Sequence, residues 1–399
     1  MNIGIFTDTY KPQLNGVVTV VKTLERELTK KGHNVYIFTV ETPDYHQNNS
    51  NEKNVYRLPS IKFFWEPNLR LGFPIYFPPL RVAKKWKLDI VHSHTPFTLG
   101  RVGHFVAKKM KIPEIHTYHT MFEEYADIYL PLPGTFLRFY AKSESKRFCE
   151  RTTAIVAPSK KMKKVLLDYG ITKPIVVIPN GINLSPFLYN VPNNNEIEDF
   201  KSKWKLGNDK IIIFVGRMAD EKNIDVLLMN FKKVVDIIKN VKLLMVGDGP
   251  KIKKYKELAE MLNISERVIF TGFLKNWPHE LSIAYHSADL FVTASHTEVH
   301  PMTFIEAIAS SLPVVAAYDA SIEDMVDGNG FLFEDDKKLY EGAIKILSDD
   351  SLQKMMSERS SEISKMYSVD RFIKNSLDLY EMAKNGRLKV ESFNNNTGL

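Results

Sequence analysis

The residues best suited to chemistry in this sequence follow short apolar runs. Arg217 and Lys222 come after the apolar run 211–215, five residues apart across a turn into a predicted helix. Side chains at this spacing can converge on one anionic group, and fixed cations there stabilise charge that develops on a leaving phosphate. A solvated basic turn paired with Asp220 or Glu221 is the alternative, and the spacing alone leaves it open.

A second group of such residues follows the predicted strand that ends near Ala294. Glu298 lies in the next loop, and Glu306 lies in a helical pattern that runs to Ser311 and is closed by Leu312-Pro313. The first N–H groups of a helix suit a phosphate or sugar hydroxyls, and carboxylates accept hydrogen bonds from hydroxyl groups. Two glutamates eight residues apart also occur on ordinary surfaces, so a surface role is the alternative.

Short apolar strands that alternate with helical patterns must position these residues. Strands are predicted at 1–7, 34–40, 88–92, 112–116, 154–157, 175–178, 211–215, 242–246, 268–271, 290–294 and 313–316. This alternation is typical of an α/β protein whose parallel sheets carry helices on both faces. Ligands of such sheets lie beyond the carboxyl ends of the strands, where the chemical residues occur.

The length of 399 residues favours two domains. We predict two doubly wound, Rossmann-like domains that face each other across a cleft, at residues 1–185 and 186–368. A C-terminal helix is predicted at 369–385, followed by a flexible tail at 386–399. The polar stretch 190–203, which contains three consecutive asparagines, is the best candidate for a linker.

The charge distribution predicts where an anionic partner binds. The net charge is +7, yet residues 1–180 hold 27 Lys and Arg against 15 Asp and Glu, whereas residues 181–399 hold 27 against 32. The basic first half therefore suits nucleic acid or an anionic membrane. A basic run is present at Lys160-Lys161-Met162-Lys163-Lys164. Since no recognised nucleic-acid module accompanies it, no nucleic-acid partner is expected.

The first residues lack the basic start and apolar stretch of a signal peptide, and no apolar run reaches the roughly 18 residues of a membrane span. One cysteine, Cys149, provides no internal disulfide, and we predict that it is buried. The chain is therefore expected in the cytoplasm, soluble or peripherally attached to the inner face of the cell membrane.

Aromatic and basic residues alternate in the first half, and such segments can lie in the headgroup region of an anionic membrane. A second mixed stretch covers residues 121–147. The alternative is that the aromatic rings pack in the core while the lysines solvate helices. The predicted membrane and acceptor residues are Phe63, Phe64, Trp65, Arg81, Lys84, Lys85, Trp86 and Lys87.

Four histidines offer a rival chemistry. His92 and His94 lie at one strand end, and His116 and His119 lie at another, so a zinc site is conceivable. Because the carboxylate spacing of a metal hydrolase is not visible, polar lining of the cleft is the better interpretation for His92 and His94. No metal is expected.

Together, these motifs resemble the signature of the retaining GT-B glycosyltransferases of family four, over essentially the whole chain. The matching segments are Gly4-Ile5-Phe6-Thr7-Asp8 with Pro12 and Asn15-Gly16-Val17, the run Ile178-Pro179-Asn180-Gly181-Ile182-Asn183, Gly216-Arg217-x4-Lys222, Val246-Gly247-Asp248-Gly249-Pro250, and Glu298-x7-Glu306.

The resemblance implies roles at the matching positions. Arg217 and Lys222 would bind the diphosphate of a nucleotide-sugar donor, with the backbone at Gly16 approaching it, since only glycine leaves room for such an approach. Glu306 would hold the ribose hydroxyls. The other implied positions are Glu298 at the transferred sugar, with Met302 and Thr303 nearby, His119 at the reaction centre, and Gly272 and Phe273 around the base.

The resemblance also implies front-face transfer with retained anomeric configuration and no conventional protein nucleophile. Because no DxD sequence occurs, side chains rather than a metal would hold the diphosphate. The loop Val299-His300-Pro301 departs from the family pattern, which has glycine here, and Pro301 offers no N–H to a sugar hydroxyl.

Within the family, the chain is similar to bacterial diacylglycerol glucosyltransferases, which make monoglucosyl diacylglycerol from UDP-glucose. A family member acting on another lipid-linked or soluble glycan is one alternative. A non-catalytic nucleotide- or nucleic-acid-binding protein is the alternative from another class.

Overall fold

The computed structural model describes residues 1–13, 15–42, 52–62, 70–119, 134–276, 278–296 and 302–388. The chain divides into two compact units. Unit 1 comprises residues up to Gly181 together with those from Asp370 onward, and unit 2 comprises Ile182–Val369. The C-terminal segment is therefore part of unit 1, although it follows unit 2 in the sequence.

Unit 1 contains a parallel sheet in the strand order β3-β2-β1-β6-β7-β8-β9 and a small antiparallel pair, β4 and β5. The strands are β1 (Asn2–Phe6), β2 (Asn34–Val40), β3 (Val55–Leu58), β4 (Ser60–Lys62), β5 (Arg70–Gly72), β6 (Ile90–Ser93), β7 (Glu114–Thr117), β8 (Ala154–Ala157) and β9 (Ile175–Val177). The central strand β1 pairs with β2 on one side and with β6 on the other. The direction in which the chain adds strands reverses at that point.

The helices of unit 1 in the described part of the chain are α1 (Gly16–Lys30), α2 (Phe77–Lys85), α3 (Thr98–Met110), α4 (Gly134–Cys149), α5 (Lys160–Asp168) and α13 (Val369–Lys384, in unit 1 from Asp370). Helix α1 begins where the Asn15 side chain accepts a hydrogen bond from the Val18 N–H. Helix α13 buries Phe372, Ile373, Leu379 and Tyr380.

Unit 2 repeats this plan with a parallel sheet in the order β12-β11-β10-β13-β14-β15. Its strands are β10 (Lys210–Val215), β11 (Val241–Val246), β12 (Val268–Gly272), β13 (Leu290–Thr293), β14 (Val314–Ala317) and β15 (Gly330–Phe333). Its helices in the described segments are α6 (Asn194–Lys203), α7 (Ile224–Ile237), α8 (Ile252–Met261), α9 (His279–His286), α10 (Met302–Ala309), α11 (Leu339–Leu347) and α12 (Asp350–Ser364).

Strand β10 explains why the strands are continuous apolar runs rather than alternating ones. Ile211, Ile213 and Val215 pack into one core cluster, whereas Ile212 and Phe214 pack into another. Successive side chains of a strand point to opposite faces of the sheet. Both faces are therefore buried under helices, as in doubly wound α/β proteins, and the predicted α/β class is confirmed.

The proposed linker at 190–203 is wrong for most of its length, because residues 194–203 form α6 within unit 2. Asn193 caps this helix in a capping box, accepting from the Glu196 N–H while the Glu196 carboxylate accepts from the Asn193 N–H. Phe200, on this helix, is buried. The asparagine run is thus a helix start.

No helix in the described residues is long and apolar enough to cross a membrane.

Candidate functional site

The carboxyl end of β10 is the point in unit 2 where the strand order reverses, since β10 pairs with both β11 and β13. Ligands of doubly wound sheets bind at such a switch point. Arg217 follows β10 there, and the segment after β13 leads to α10. The Asn223 side chain joins the two sides by donating a hydrogen bond of 3.1 Å to the Ala294 carbonyl.

The turn that carries Arg217 rests on the turn after β11. The Met218 N–H donates to the Asp248 carbonyl at 3.0 Å, and the Lys251 N–H donates to the Met218 carbonyl at 3.0 Å. A Cβ at Gly249 would lie 2.5 Å from the Met218 oxygen. Glycine is therefore needed at position 249, where the turn after β11 packs against the backbone of the Arg217 turn.

The charges at this edge favour the anion-binding interpretation of Arg217. Its side chain is exposed, and it makes no ion pair with any described residue. Asp220 instead pairs with Lys251 at 2.8 Å and Lys254 at 3.3 Å, and the Lys251 hydrogen bond lowers the pKa of Asp220. Asp220 therefore does not neutralise Arg217, whereas these ion pairs do not test the pairing of Lys222 with Glu221. Lys222 ends the one-turn helix Asp220–Lys222 and is half-buried.

Glu306 lies on α10 and is buried, with 4% of its surface exposed. The Tyr285 hydroxyl lies 3.2 Å from its carboxylate and 3.0 Å from the Thr303 carbonyl, so this one O–H is shared between two acceptors. Burial raises the pKa of Glu306 to about 8. The carboxyl is therefore mostly protonated at neutral pH and can both donate and accept hydrogen bonds.

The remaining predicted donor residues of unit 2 lie at strand and helix ends. Gly272 ends β12 with a φ of 69° and accepts a 3.1 Å hydrogen bond from the Gly247 N–H. Phe273 is 77% exposed. Met302 is exposed and Thr303 half-buried on the first turn of α10. Glu298 lies outside the described residues.

Unit 1 has an equivalent switch point between β1 and β6, and Asp8 lies there fully buried. Its N–H donates to the Thr95 hydroxyl at 3.0 Å, and that hydroxyl donates back to the Asp8 carboxylate at 2.5 Å. The Leu99 N–H, in the first turn of α3, donates to both carboxylate oxygens at 3.2 Å. Burial raises the pKa of Asp8 to about 6.

Gly16 is the first residue of α1, at the same edge of unit 1. A Cβ at this position would meet nothing within 4 Å. The described fold therefore leaves room for a side chain at Gly16, and the predicted approach of a donor to this backbone stays a prediction.

The four histidines form hydrogen bonds with protein groups. His92 lies 2.6 Å from the Tyr380 hydroxyl of α13 and 2.7 Å from the Thr117 hydroxyl. His94 Nδ1 and His119 Nε2 are 2.8 Å apart. His116 Nδ1 contacts the Ser93 carbonyl at 3.1 Å, and burial lowers its pKa to about 3.

Within the described part of the chain, no group of three or more His, Cys, Asp or Glu could hold a metal ion. The prediction that no metal binds stays a prediction, as does the interpretation of His92 and His94 as polar lining of a cleft. Cys149 is buried, and burial raises its pKa to about 12, so it is a packed thiol.

The basic and aromatic surface of unit 1 is only partly as predicted. Arg81, Lys84, Lys85 and Lys87 are exposed, but Trp86 stacks on Tyr36 at 4.5 Å and contacts Phe38 edge-on at 5.3 Å. The Trp86 ring is therefore half-buried against Tyr36 and Phe38, and its contact with a membrane stays a prediction. Phe63, Phe64 and Trp65 lie outside the described residues.

Sequence reasoning missed several residues that build these sites. Phe73 and Phe77 belonged to the mixed aromatic and basic pattern but were left out of the predicted membrane residues, and they are 45% and 68% exposed beside the basic residues of α2. Tyr285, Asn223 and Tyr380 form hydrogen bonds to Glu306, Ala294 and His92, partners that lie 21 to 288 residues away in the sequence. The aromatic residues next to Arg81 were visible as a mixed pattern, yet the pattern does not tell which ring is buried.

Two doubly wound units in one chain are the architecture of the GT-B class of glycosyltransferases, and comparisons with known proteins place the chain in that class. Residues 14–186 match the model of Glycosyltransferase Family 4, and residues 195–362 match that of Glycosyl transferases group 1. An alpha-monoglucosyldiacylglycerol synthase of Streptococcus pneumoniae is 34% identical over 370 residues, which cover 91% of this chain and 82% of that protein. The chain therefore belongs to glycosyltransferase family 4.

Two further comparisons agree with this assignment. An alpha-monoglucosyldiacylglycerol synthase of Acholeplasma laidlawii is 32% identical over 95% of this chain and 96% of that protein. The crystal structure of HepE from Anabaena in complex with UDP has a TM-score of 0.74 at 15% identity, covering 96% of this chain and all of that one. The latter likeness concerns the fold alone.

Proposed function

We propose that this protein is a retaining glycosyltransferase that moves glucose from UDP-glucose to 1,2-diacylglycerol and forms monoglucosyl diacylglycerol. The names of the Streptococcus and Acholeplasma relatives support a glucosyl group and a diacylglycerol acceptor. The family resemblance supports the nucleotide donor and the retained configuration.

The observation that carries the donor assignment is the exposed Arg217 guanidinium at the switch point of unit 2. It lacks an ion pair within the described residues, while the nearby Asp220 is held by two lysines. A guanidinium matches phosphate oxygens with two parallel N–H groups. It can therefore stabilise the diphosphate as the bond to the sugar breaks.

In the proposed reaction, the bond between the sugar C1 and the diphosphate oxygen breaks, and its electron pair stays on that oxygen. The acceptor hydroxyl oxygen bonds to C1 from the same face, and its proton passes to the leaving phosphate. Arg217 and Lys222 would hold the leaving group, so the proposal needs no metal. His119 and Glu298 would contact the sugar, while Glu306 would bind the ribose.

We further propose that unit 1 attaches the enzyme to the cytoplasmic face of an anionic membrane. The supporting surface consists of α2 and its flanks, where Arg81, Lys84 and Lys85 are exposed near Phe73 and Phe77. Basic side chains attract anionic lipid, and exposed aromatic rings can enter the headgroup region.

Transfer from radiolabelled UDP-glucose tests the proposal in mixed micelles of diacylglycerol and an anionic phospholipid. We expect labelled glycolipid from the wild type and about 100- to 1000-fold slower formation by Arg217→Ala. The double variant Lys84→Glu, Lys85→Glu should lose binding to anionic vesicles, whereas Lys253→Glu, at an exposed lysine of unit 2, should not.

The other outcomes identify the alternatives. Slow release of glucose without glycolipid would reject diacylglycerol and leave another glycan or lipid acceptor. If no nucleotide sugar is hydrolysed or transferred and Arg217→Ala keeps its biological role, the non-catalytic alternative would replace the proposal.

A further inference from the structure

We propose that His94 is a positioning residue that donates a hydrogen bond to His119 and thereby holds His119 in the tautomer with hydrogen on Nδ1. The description of His119 as part of a reaction centre rests on the proposed function. The hydrogen bond between the two rings does not.

The two rings have the geometry of a direct N–H···N bond. His94 Nδ1 and His119 Nε2 are 2.8 Å apart. The ring centroids are 5.1 Å apart and the planes differ by only 18°. Ring N–H groups point within the plane of the imidazole, so nearly coplanar rings allow one hydrogen to lie between the two nitrogens.

The surroundings of His94 decide which ring donates. His94 is 2% exposed, and burial holds its pKa well below the usual value, so the ring is neutral and carries one hydrogen. Its Nε2 is buried without a hydrogen-bond partner in the structure as described. If His119 donated, His94 would bury an unpartnered N–H. If His94 donates from Nδ1, it buries only a lone pair, which is the less costly arrangement.

The neighbours of His94 fix the plane of its ring. The His92 ring lies against it, with centroids 4.1 Å apart. His92 is itself held on both nitrogens, by the Tyr380 hydroxyl at 2.6 Å and the Thr117 hydroxyl at 2.7 Å. His94 therefore has little freedom to turn its Nδ1 away from His119.

The consequence for His119 concerns the direction of its other hydrogen bond. Because Nε2 accepts from His94, a neutral His119 carries its hydrogen on Nδ1. The lone pair of His119 Nε2 is then occupied by the His94 N–H, so His119 does not remove a proton through Nε2. This agrees with the proposed transfer, in which the leaving phosphate receives the acceptor proton.

The tautomer can be measured without any substrate, by nitrogen NMR of the full chain labelled with ¹⁵N-histidine. Ring nitrogens that carry hydrogen are well separated in chemical shift from those that do not, and the His119→Gln variant assigns the His119 signals. We expect hydrogen on Nδ1 of both His94 and His119 in the wild type. Hydrogen on Nε2 of His119 would overturn the proposal.

Two variants separate positioning from packing. His94→Leu fills the site but cannot donate, and we expect His119 to become a mixture of tautomers. We expect kcat for glycolipid formation to fall about 10- to 100-fold, the scale for outer partners of functional histidines, with KM changed less than about 2-fold. His94→Asn places an amide N–H near the Nδ1 position and should restore most of kcat and the single tautomer.

A matched control is His116→Asn, which alters an equally buried histidine but keeps an amide able to donate to the Ser93 carbonyl. It should leave the His119 signals and kcat unchanged. An unchanged His119 tautomer in His94→Leu would overturn the positioning role. A changed tautomer with unchanged kcat would instead overturn the assignment of His119 to the reaction centre.

Discussion

The two switch points of this protein share a topology and differ in electrostatics. In each unit the first strand pairs with the second on one side and with a later strand on the other, β6 for β1 and β13 for β10. In unit 2 the edge exposes Arg217 and two lysines around Asp220. In unit 1 the edge buries Asp8 and a set of histidines.

The difference shows that topology selects the place of a site, whereas the residues after each strand select its chemistry. Exposed cations suit an anion that gains charge during a reaction. Buried imidazoles lose their charge, as the lowered pKa of about 3 at His116 illustrates. A neutral edge with fixed hydrogen-bond directions suits hydroxyl groups. We therefore expect substitutions in unit 2 to affect leaving-group stabilisation, and those in unit 1 to affect orientation.

The largest effect is expected from Arg217→Ala, which removes the exposed cation. Loss of one group that stabilises developing charge lowers kcat about 100- to 1000-fold, because the diphosphate then departs with less compensation. Steady-state transfer from UDP-glucose measures this. Lys253→Ala is the control, since Lys253 is also a cation of unit 2 but is 89% exposed on α8. Equal activity in the two variants would remove Arg217 from the site.

Glu306→Gln is expected to have the next largest effect, about 10- to 100-fold on kcat/KM, because an amide replaces a carboxyl that would bind two hydroxyl groups. It also changes the pH dependence of folding. The Glu306 pKa is raised to about 8 in the folded chain against 4.5 ordinarily. The contribution of the protonated Glu306 carboxyl to the free energy of unfolding is therefore fully present below about pH 4.5. That contribution is lost as pH rises toward 8, by up to about 1.4 kcal/mol per pH unit.

Thermal unfolding between pH 5.5 and 8.5 checks the Glu306 prediction. The wild type should lose stability relative to Glu306→Gln as pH rises, and Tyr285→Phe serves as a control that retains the titrating carboxyl. Parallel curves for the wild type and Glu306→Gln would show that Glu306 does not titrate in this range.

The sequence predicted the parts of the fold that local physics determines. Strand β2 was placed at 34–40 and β8 at 154–157, both with the bounds observed, because buried parallel strands are dense apolar runs. The segment 190–203 was misassigned because its polar composition outweighed the Asn193 and Glu196 capping signal. Strands β3, β4, β5 and β15 were missed, and the residues of β3 and β15 are only partly buried with one exception, Leu58.

The site was predictable where a motif follows a strand, and not where distant elements meet. Arg217 and Glu306 were singled out by their places after strands together with the family resemblance, since their spacing alone left a surface role open, and their donor-binding roles stay predictions. Tyr285 and Tyr380 were not singled out, because their partners lie 21 residues away at Glu306 and 288 residues away at His92. Such contacts depend on how helices pack on the sheet, which no local pattern records. The packing of the Trp86 ring on Tyr36 and Phe38 is a further contact that the local pattern did not predict.

A smaller effect is expected for Gly16→Ala in unit 1. Since a Cβ there meets nothing within 4 Å, thermal stability should stay within about 2 °C of the wild type, as for surface changes generally. KM for UDP-glucose should rise about 10-fold if donor oxygens approach the Gly16 backbone. Gly4→Ala is the contrasting variant, because the new Cβ would lie 2.5 Å from the Leu88 side chain. This variant should lower thermal stability even when no ligand is present. An unchanged KM would show that no donor group approaches Gly16.

The smallest effect on catalysis is expected for Tyr380→Phe, which removes the hydroxyl that lies 2.6 Å from His92 Nδ1. The lost hydrogen bond leaves a buried nitrogen unpartnered, so stability should fall by about 1–3 kcal/mol. The His92 ring would still lie against His94, and the bond from His94 to His119 would persist, so kcat should change less than about 3-fold. Urea unfolding and steady-state transfer check the two expectations. A kcat loss as large as that of His94→Leu would show that the orientation of His119 depends on the Tyr380 hydroxyl of α13 as well as on His94. Tyr380, His92, His94 and His119 would then act as one hydrogen-bonded group rather than His94 and His119 acting as a separate pair.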